Sequence, residues 1–198
     1  MQAEIISIGD EITSGQLLDT NSQWLSQRLA EMGVRVLYHT ACGDEVEPLA
    51  GVFRQALDRA DVVISTGGLG PTADDLTREA VARAAGRKLL LDRKVLQQIE
   101  QLYVRRKRPM PKRNELQAMF PQGSRVVPNP HGTAPGIALE LPRQGKGPSR
   151  LFALPGVPAE MRQMWSQTVA GALRKAGAGL RVILHRNINC FGLGESQV

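Results

Sequence analysis

The stretch ISTGGLGPTADDLT, residues 64–77, carries the most chemically specific spacing in the chain. Gly67, Gly68 and Gly70 fall within four positions, directly after a short β-branched run. Glycine admits positive φ and lets backbone N–H groups approach a ligand without a Cβ in the way. A helix starting just beyond adds unsatisfied donors and a partial positive charge. That combination is a cradle for phosphate. Asp74 and Asp75 follow at once and would repel one. Two readings reconcile them. Either the aspartates cap and charge the first turn of the next helix, or a cation lies between carboxylate and phosphate, as Mg²⁺ does when it uses one or two carboxylates plus substrate phosphates. Such a cation polarises a phosphoanhydride or activates a water for in-line attack. Asp10 and Glu11 after the first expected strand, and Asp44 after the second, could converge on the same edge. Each of them alone is equally a turn or cap residue.

A rival motif overlaps the loop. Gly68–Ala73 satisfies G-x-G-x-x-A, and Asp92 lies about 20 residues on, as a dinucleotide fingerprint asks. Against that reading, the loop follows the third expected strand rather than opening the fold, and the aspartates stand where a dinucleotide needs bare donors. No Gly-Lys-Ser/Thr follows, which excludes a Walker loop. His131 sits in a Gly/Pro turn, where a lone histidine is more often surface or structural than a general base.

The elements that position these residues follow from periodicity. Ala3–Ile8 reads as a buried first strand broken at Gly9, with a loop after it. Trp24, Leu25, Leu29 and Met32 place a helix over Thr20–Met32, capped by Thr20 or Asn21 and ended by Gly33. Val34–Thr40 is the second strand, Val46–Ala60 the clearest amphipathic helix, and Asp61–Ser65 the third strand, leading into the glycines. Helices are expected at Leu76–Gly86, Arg93–Arg106 and Arg113–Met119, the last two separated by Pro109–Met110–Pro111. Strands at Arg125–Val127, Ile137–Leu141 and Leu151–Leu154 frame a polar excursion at 142–149, and a helix covers Val157–Lys175. Leu180–Ile188 reads as a further strand, and Glu195–Ser196 as the start of a helix. Strands alternating with helices give an α/β fold with a mainly parallel sheet covered on both faces. In such sheets ligands sit at the carboxyl ends of the strands, where Gly9–Gly15, Gly67–Asp75 and Pro155–Glu160 would gather.

With 42% hydrophobic residues, 198 residues suffice for one domain or one domain plus the beginning of another. No run approaches the roughly 18 apolar residues of a membrane span. The start, Met1–Gln2–Ala3–Glu4, lacks a signal peptide's basic opening, so the expected compartment is cytoplasmic, with no membrane partner. Cys42 and Cys190 show neither disulfide nor zinc spacing. The net charge of +6 is local: Arg105, Arg106, Lys107, Arg108, Lys112 and Arg113 supply it, and the other basic residues balance the 19 acidic ones. That segment reads as a solvated loop or an anion contact. With 4% aromatic residues and no basic face elsewhere, no nucleic-acid partner is expected.

Several blocks occurring in one order resemble a known family. They are IGDEITSG at 8–15, DTNSQWL at 19–25, GD at 43–44, STGGLGPTADDLT at 65–77, KRNELQA at 112–118, NPHGTAPG at 129–136 and LPGVPAEM at 154–161. Together they resemble the N-terminal domain of the CinA family, the competence/damage-inducible proteins, within the molybdopterin-binding MoaB/MogA-like group. The resemblance implies a three-layer α/β/α sandwich and a nucleotide-pyrophosphate site in a homo-oligomer. It implies metal-dependent hydrolysis of ADP-ribose to AMP and ribose 5-phosphate. The alternative is a molybdopterin- or nucleotide-binding module, or a molybdopterin adenylyltransferase. It makes Asp44 and Asp75 the catalytic carboxylates and holders of a divalent metal, Mg²⁺ or similar. The phosphate would lie among Thr66, Gly67, Gly68, Gly70, Pro71 and Thr72. Gly9, Asp10, Glu11 and Asn21 would form the rim. Lys112, Asn114, Gly132 and Thr133 would contact a ribose phosphate, and Pro155, Gly156, Pro158 and Glu160 would shape the far wall. On this resemblance residues 1–175 form the domain and 176–198 begin a linking segment. A longer parent would continue into a nicotinamide-mononucleotide deamidase.

Overall fold

A computed structural model describes residues 1–179 and Gly192. The strand expected at 180–188 and the helix start at 195–196 lie outside the described residues. Six strands form the central sheet: β1 (Gln2–Ile8), β2 (Arg35–Cys42), β3 (Val62–Thr66), β6 (Arg125–Val127), β7 (Gly136–Arg143) and β8 (Lys146–Leu154), in the order β2-β1-β3-β8-β7-β6. The four strands β2, β1, β3 and β8 run parallel, while β7 and β6 are antiparallel additions at one edge.

The side-chain period of two divides the strands between two cores. Ile6, Ile8 and Val63 face α3 (Val46–Arg59), α4 (Thr77–Ala84) and α5 (Arg93–Arg105), where Phe53, Val81 and Ile99 are buried. Ala3, Ile5 and Ile64 face the opposite layer of α2 (Thr20–Glu31), α6 (Pro158–Met164) and α7 (Ala170–Lys175), with Leu25, Met161 and Leu173. The result is the expected three-layer α/β/α sandwich.

Several local features depart from the sequence reading. A single helical turn, α1 (Asp10–Thr13), stands where a loop was expected. Asp19, not Thr20 or Asn21, caps α2: its carboxylate accepts from the Ser22 amide at 2.9 Å. The supposed polar excursion at 142–149 is the tip of the β7–β8 hairpin, turned at Gly145 with φ 66°. Two three-residue strands, β4 (Leu89–Leu91) and β5 (Met119–Pro121), form a small separate antiparallel sheet. Such short strands leave no alternation to read. A 3₁₀ segment, Lys112–Ala118, follows Pro111 and occupies the expected 113–119 helix. The last helix is continuous from Pro158 to Lys175 but widens to π geometry at Trp165–Val169, where Trp165 meets Trp24 edge-on at 6.0 Å.

Candidate functional site

The carboxyl ends of β1, β3 and β8 bring the three expected loops together. The Gly67 amide donates to the Leu154 carbonyl at 3.1 Å, and the Gly9 amide to the Cys42 carbonyl at 3.0 Å, so each loop leaves its strand from a fixed point. Gly67 has φ 105°, and a Cβ there would strike the Ile8 carbonyl. Gly68 has φ 62°, and a Cβ there would strike the Thr77 hydroxyl. That hydroxyl instead donates to the Gly67 carbonyl at 2.9 Å, and the Thr77 amide donates to the Gly68 carbonyl at 3.1 Å. The glycine loop is thereby fastened to the first residue of α4.

A cavity of about 460 Å³ opens over this loop. Of the residues expected from sequence, it is lined by Gly9, Glu11, Asn21, Asp44, Thr66, Gly67, Gly68, Gly70, Pro71, Asp75, Thr133, Pro155, Gly156 and Glu160. The other six stand behind or beside it. Asp10 is clasped to Asp44, each amide donating to the other's carboxylate at 3.1 Å. Thr72 turns both its amide, at 2.8 Å, and its hydroxyl to Asp75. Asn114 is buried and donates to Gln117 at 2.8 Å; Gln117 is the residue of that segment that reaches the cavity. Lys112 is exposed at the start of the 3₁₀ segment. Gly132 lies in a turn on the far side of Thr133, and Pro158 begins α6.

The expectation that Gly67, Gly68 and Gly70 all offer free amides is corrected. The Gly67 amide belongs to the sheet, and the Gly70 amide donates to Asp75 Oδ1 at 2.6 Å. Among the described residues, Gly68 keeps the one uncommitted amide of the three. Asp75 is therefore first a clasp that shapes its own loop. A carboxylate has about four acceptor directions, and three of them are used.

Charge at this edge is one-sided. Six carboxylates line the cavity, from Glu11, Asp19, Asp44, Asp74, Asp75 and Glu160, and among the described residues no Lys, Arg or His side chain does. Burial first, then the negative charges of Asp10, Glu11 and Asp74, push the Asp44 carboxyl above its ordinary value, although the Asp10 amide opposes them. Asp19 goes the other way. Burial works against its ionisation, but the Ser22 and Ser7 hydroxyls, the Ser22 amide and His39 outweigh it and hold the carboxyl below its usual value.

Three supporting residues escaped the sequence reading. Ser7, on β1, lines the cavity and donates to Asp19. Asp19 was legible as an aspartate just ahead of an apolar-periodic run. Arg78 is 5% exposed beneath the glycine loop, donating to the Leu69 carbonyl at 2.7 Å and the Pro135 carbonyl at 3.0 Å. Burial lowers its pKa to about 10 against the opposing pull of Asp75. An arginine in the first turn of a helix gives no sign in sequence that it points inward.

The donor set can be tested against a metal. No group of three or more metal-ligating side chains assembles among the described residues, so an all-protein cage is ruled out for them. A Mg²⁺-like ion needs only one or two carboxylates when phosphate oxygens and waters complete its shell. Asp44 meets that need: the Asp10 amide fixes Oδ2, and Oδ1 has no hydrogen-bond donor among the described residues. The residues fit a cation that arrives with a phosphate.

A family profile described as "Probable molybdopterin binding domain" matches residues 4–175. The chain belongs to this family. A CinA-like protein of Nostoc sp. strain PCC 7120 is 41% identical over 198 residues, covering all of this chain and 46% of the relative. The chain thus spans about half the length of the curated relatives it matches. The crystal structure of the protein CinA, of unknown function, from Thermoplasma acidophilum aligns over 89% of this chain and 98% of its own, at 32% identity and a TM-score of 0.76. The molybdopterin biosynthesis enzyme MoaB of Thermus thermophilus aligns over 88% and 92%, at 22% identity and a TM-score of 0.56, a likeness of fold. The family match ends at the last residue of α7. No described helix is long and apolar enough to cross a membrane.

Proposed function

We propose that the domain is a metal-dependent nucleotide pyrophosphatase that hydrolyses ADP-ribose to AMP and ribose 5-phosphate. One observation supports this most: a glycine loop at a helix start underlies a cavity lined, among the described residues, by six carboxylates and no cationic side chain. A diphosphate enters such a cavity only with a cation. A divalent metal held by Asp44, by the remaining acceptor direction of Asp75 and by substrate oxygens would neutralise the diphosphate and polarise the phosphoanhydride.

The chain's own groups then have distinct tasks. The Gly68 amide and the start of α4 orient a phosphate oxygen. The Asp75 clasp on Gly70 and Thr72 keeps the loop in the shape that exposes that amide. The Asp10 amide holds Asp44 Oδ2 and leaves Oδ1 without a donor among the described residues. Asn21 donates to the Gly156 carbonyl at 2.8 Å and so fixes the far wall. The reaction is placed in the cytoplasm, in a homo-oligomer. Residues 1–175 are its catalytic unit, residues 176–198 begin a linking segment, and the parent protein serves pyridine-nucleotide recycling.

The decisive experiment is AMP release from ADP-ribose with and without Mg²⁺, Mn²⁺ or Co²⁺. Intact ADP-ribose under all three metals, beside a control hydrolase that cleaves it, would sink the reading. The family description favours a second reading, binding of molybdopterin at the same phosphate site, with its adenylylation as the reaction such a site would carry. AMP transfer from ATP to the pterin, with ADP-ribose left whole, would select it.

A further inference from the structure

Arg78 stands in three unfavourable places at once. It is 5% exposed, so its charge has lost nearly all contact with water. It forms no ion pair among the described residues, whereas Arg59, Arg143 and Arg150 hold Glu4, Asp61 and Glu140 at 2.7, 2.6 and 2.9 Å. It is also the second residue of α4, where the helix presents its own positive end. Its Nε is buried with no hydrogen-bond partner among the described residues. A buried cation without a counter-charge is costly, and the fold alone gives no reason for one here. A neutral amide has two N–H donors and could serve the same two carbonyls.

Those carbonyls belong to two loops of the acidic cavity. Nη1 donates to Leu69 at 2.7 Å and Nη2 to Pro135 at 3.0 Å. Leu69 lines the cavity, and Pro135 directly follows Thr133 and Ala134, which line it too. In a trans peptide the carbonyl and the next amide point in opposite directions. Holding the Leu69 carbonyl therefore sends the Gly70 amide the other way, where Asp75 Oδ1 accepts it at 2.6 Å. Thr77 acts likewise one step earlier: its hydroxyl holds the Gly67 carbonyl at 2.9 Å, and the Gly68 amide points away from it. Consecutive residues at the start of α4 thus set two peptide planes of the glycine loop.

We infer that Arg78 is a positioning residue of the phosphate site, which aims the glycine loop and places an uncompensated positive charge behind the cavity lining; the inference rests on the proposed function. The acidic lining and the buried cation are complementary. The carboxylates take the metal that arrives with a diphosphate, and the guanidinium attracts the charge that remains on the phosphate. Attraction across a region without water falls off slowly, so no direct contact is needed. Asp75 already acts on Arg78 from the cavity side. A phosphate on the Gly68 amide would act in the same sense.

The test titrates inorganic pyrophosphate with Mg²⁺ onto the wild-type chain, Arg78→Lys and Arg78→Gln by calorimetry, each below its thermal midpoint. Arg78→Gln keeps a donor and loses the charge, and is expected to bind about tenfold or more weakly at every pH. Arg78→Lys keeps the charge while it is protonated. Its affinity relative to the wild type should be near unity at about pH 7 and fall toward that of Arg78→Gln by about pH 9, because burial lowers the pKa of a lysine. A side chain that only braced the core would leave both variants equally weakened, with no such step. Arg78→Gln binding as tightly as the wild type, or Arg78→Lys binding as weakly as Arg78→Gln at every pH, overturns the assignment. Failure of both variants to fold overturns it as well, since Arg78 would then be a brace of the fold alone. Failure of pyrophosphate to bind the wild type overturns the proposed function instead.

Discussion

The two ends of the central sheet treat carboxylates in opposite ways. Near the start of β1, Glu4 is fully buried and fully satisfied. Arg59 grips it with Nε at 2.8 Å and Nη2 at 2.7 Å, and the Thr40 hydroxyl donates at 2.8 Å. The guanidinium itself rests 3.8 Å from the centre of the Tyr38 ring. At the far end of the same strand, Asp44, Glu11 and Asp74 face one cavity that no cationic side chain lines among the described residues. Burying a charge costs several kcal/mol unless it is paired, and the fold meets that demand at Glu4. Asp44 is only partly buried and has no built-in cation among the described residues, and burial together with its acidic neighbours pushes its carboxyl upward. A carboxylate whose partner is built in serves the fold; one whose partner must arrive marks a binding site.

The largest expected effect comes from breaking the open end. Asp44→Asn should lower metal-dependent ADP-ribose hydrolysis by about 100-fold or more, roughly 3 kcal/mol of barrier, while the thermal midpoint stays level or rises because one repelling charge is gone. If the midpoint falls as far as an unpaired buried charge would take it, Asp44 is structural and the contrast between the two ends collapses. Next comes the closed end. Arg59→Ala leaves Glu4 buried without its cation and should cost about 3 kcal/mol in urea unfolding. ADP-ribose turnover per folded molecule should be unchanged, and a loss of turnover without a loss of stability would contradict that role for the pair.

The contrast also explains what could be read from sequence. Layer order, the parallel strands and the meeting of three loops at one edge all follow from apolar periodicity and glycine placement, as with Phe53 on α3 or Gly67 after β3. These are local signals. Glu4 looked like one residue of an alternating strand, because its partner Arg59 lies 55 positions away. Arg78 was hidden for the same reason, since the carbonyls it holds belong to two separate loops. The glycines were legible as a loop, but which amides stay free was not. That depends on Asp75 folding back onto Gly70, a conformation that spacing alone leaves open.

Two smaller effects refine the comparison within the acidic cavity itself. Asp19 lines the cavity but is satisfied by Ser7 and Ser22, so it should behave like Glu4 rather than Asp44. Asp19→Ala removes the cap of α2 and should cost about 1 kcal/mol in urea unfolding. Retained Mg²⁺-dependent binding of pyrophosphate would place Asp19 on the structural side; its loss would move Asp19 to the functional one.

The smallest effect is a pH dependence whose sign differs between these two aspartates. Asp19 is held below its ordinary value, so its contribution to stability is full above that value and is lost as pH falls through the lower, folded one. Asp44 is raised, so in the absence of metal its ionisation opposes folding, and stability declines as pH climbs from the ordinary aspartate value to the raised one. Only ionised Asp44 attracts Mg²⁺. The rise in thermal midpoint produced by Mg²⁺ should therefore fade on acidification at a higher pH than an unperturbed aspartate would give, and Asp44→Asn should abolish that step. Thermal unfolding with and without Mg²⁺, from about pH 4 to 7, measures it. A Mg²⁺ effect of constant size across that range would mean that Asp44 does not meet the metal, and the cation would then have to be sought at Asp75 and Asp74.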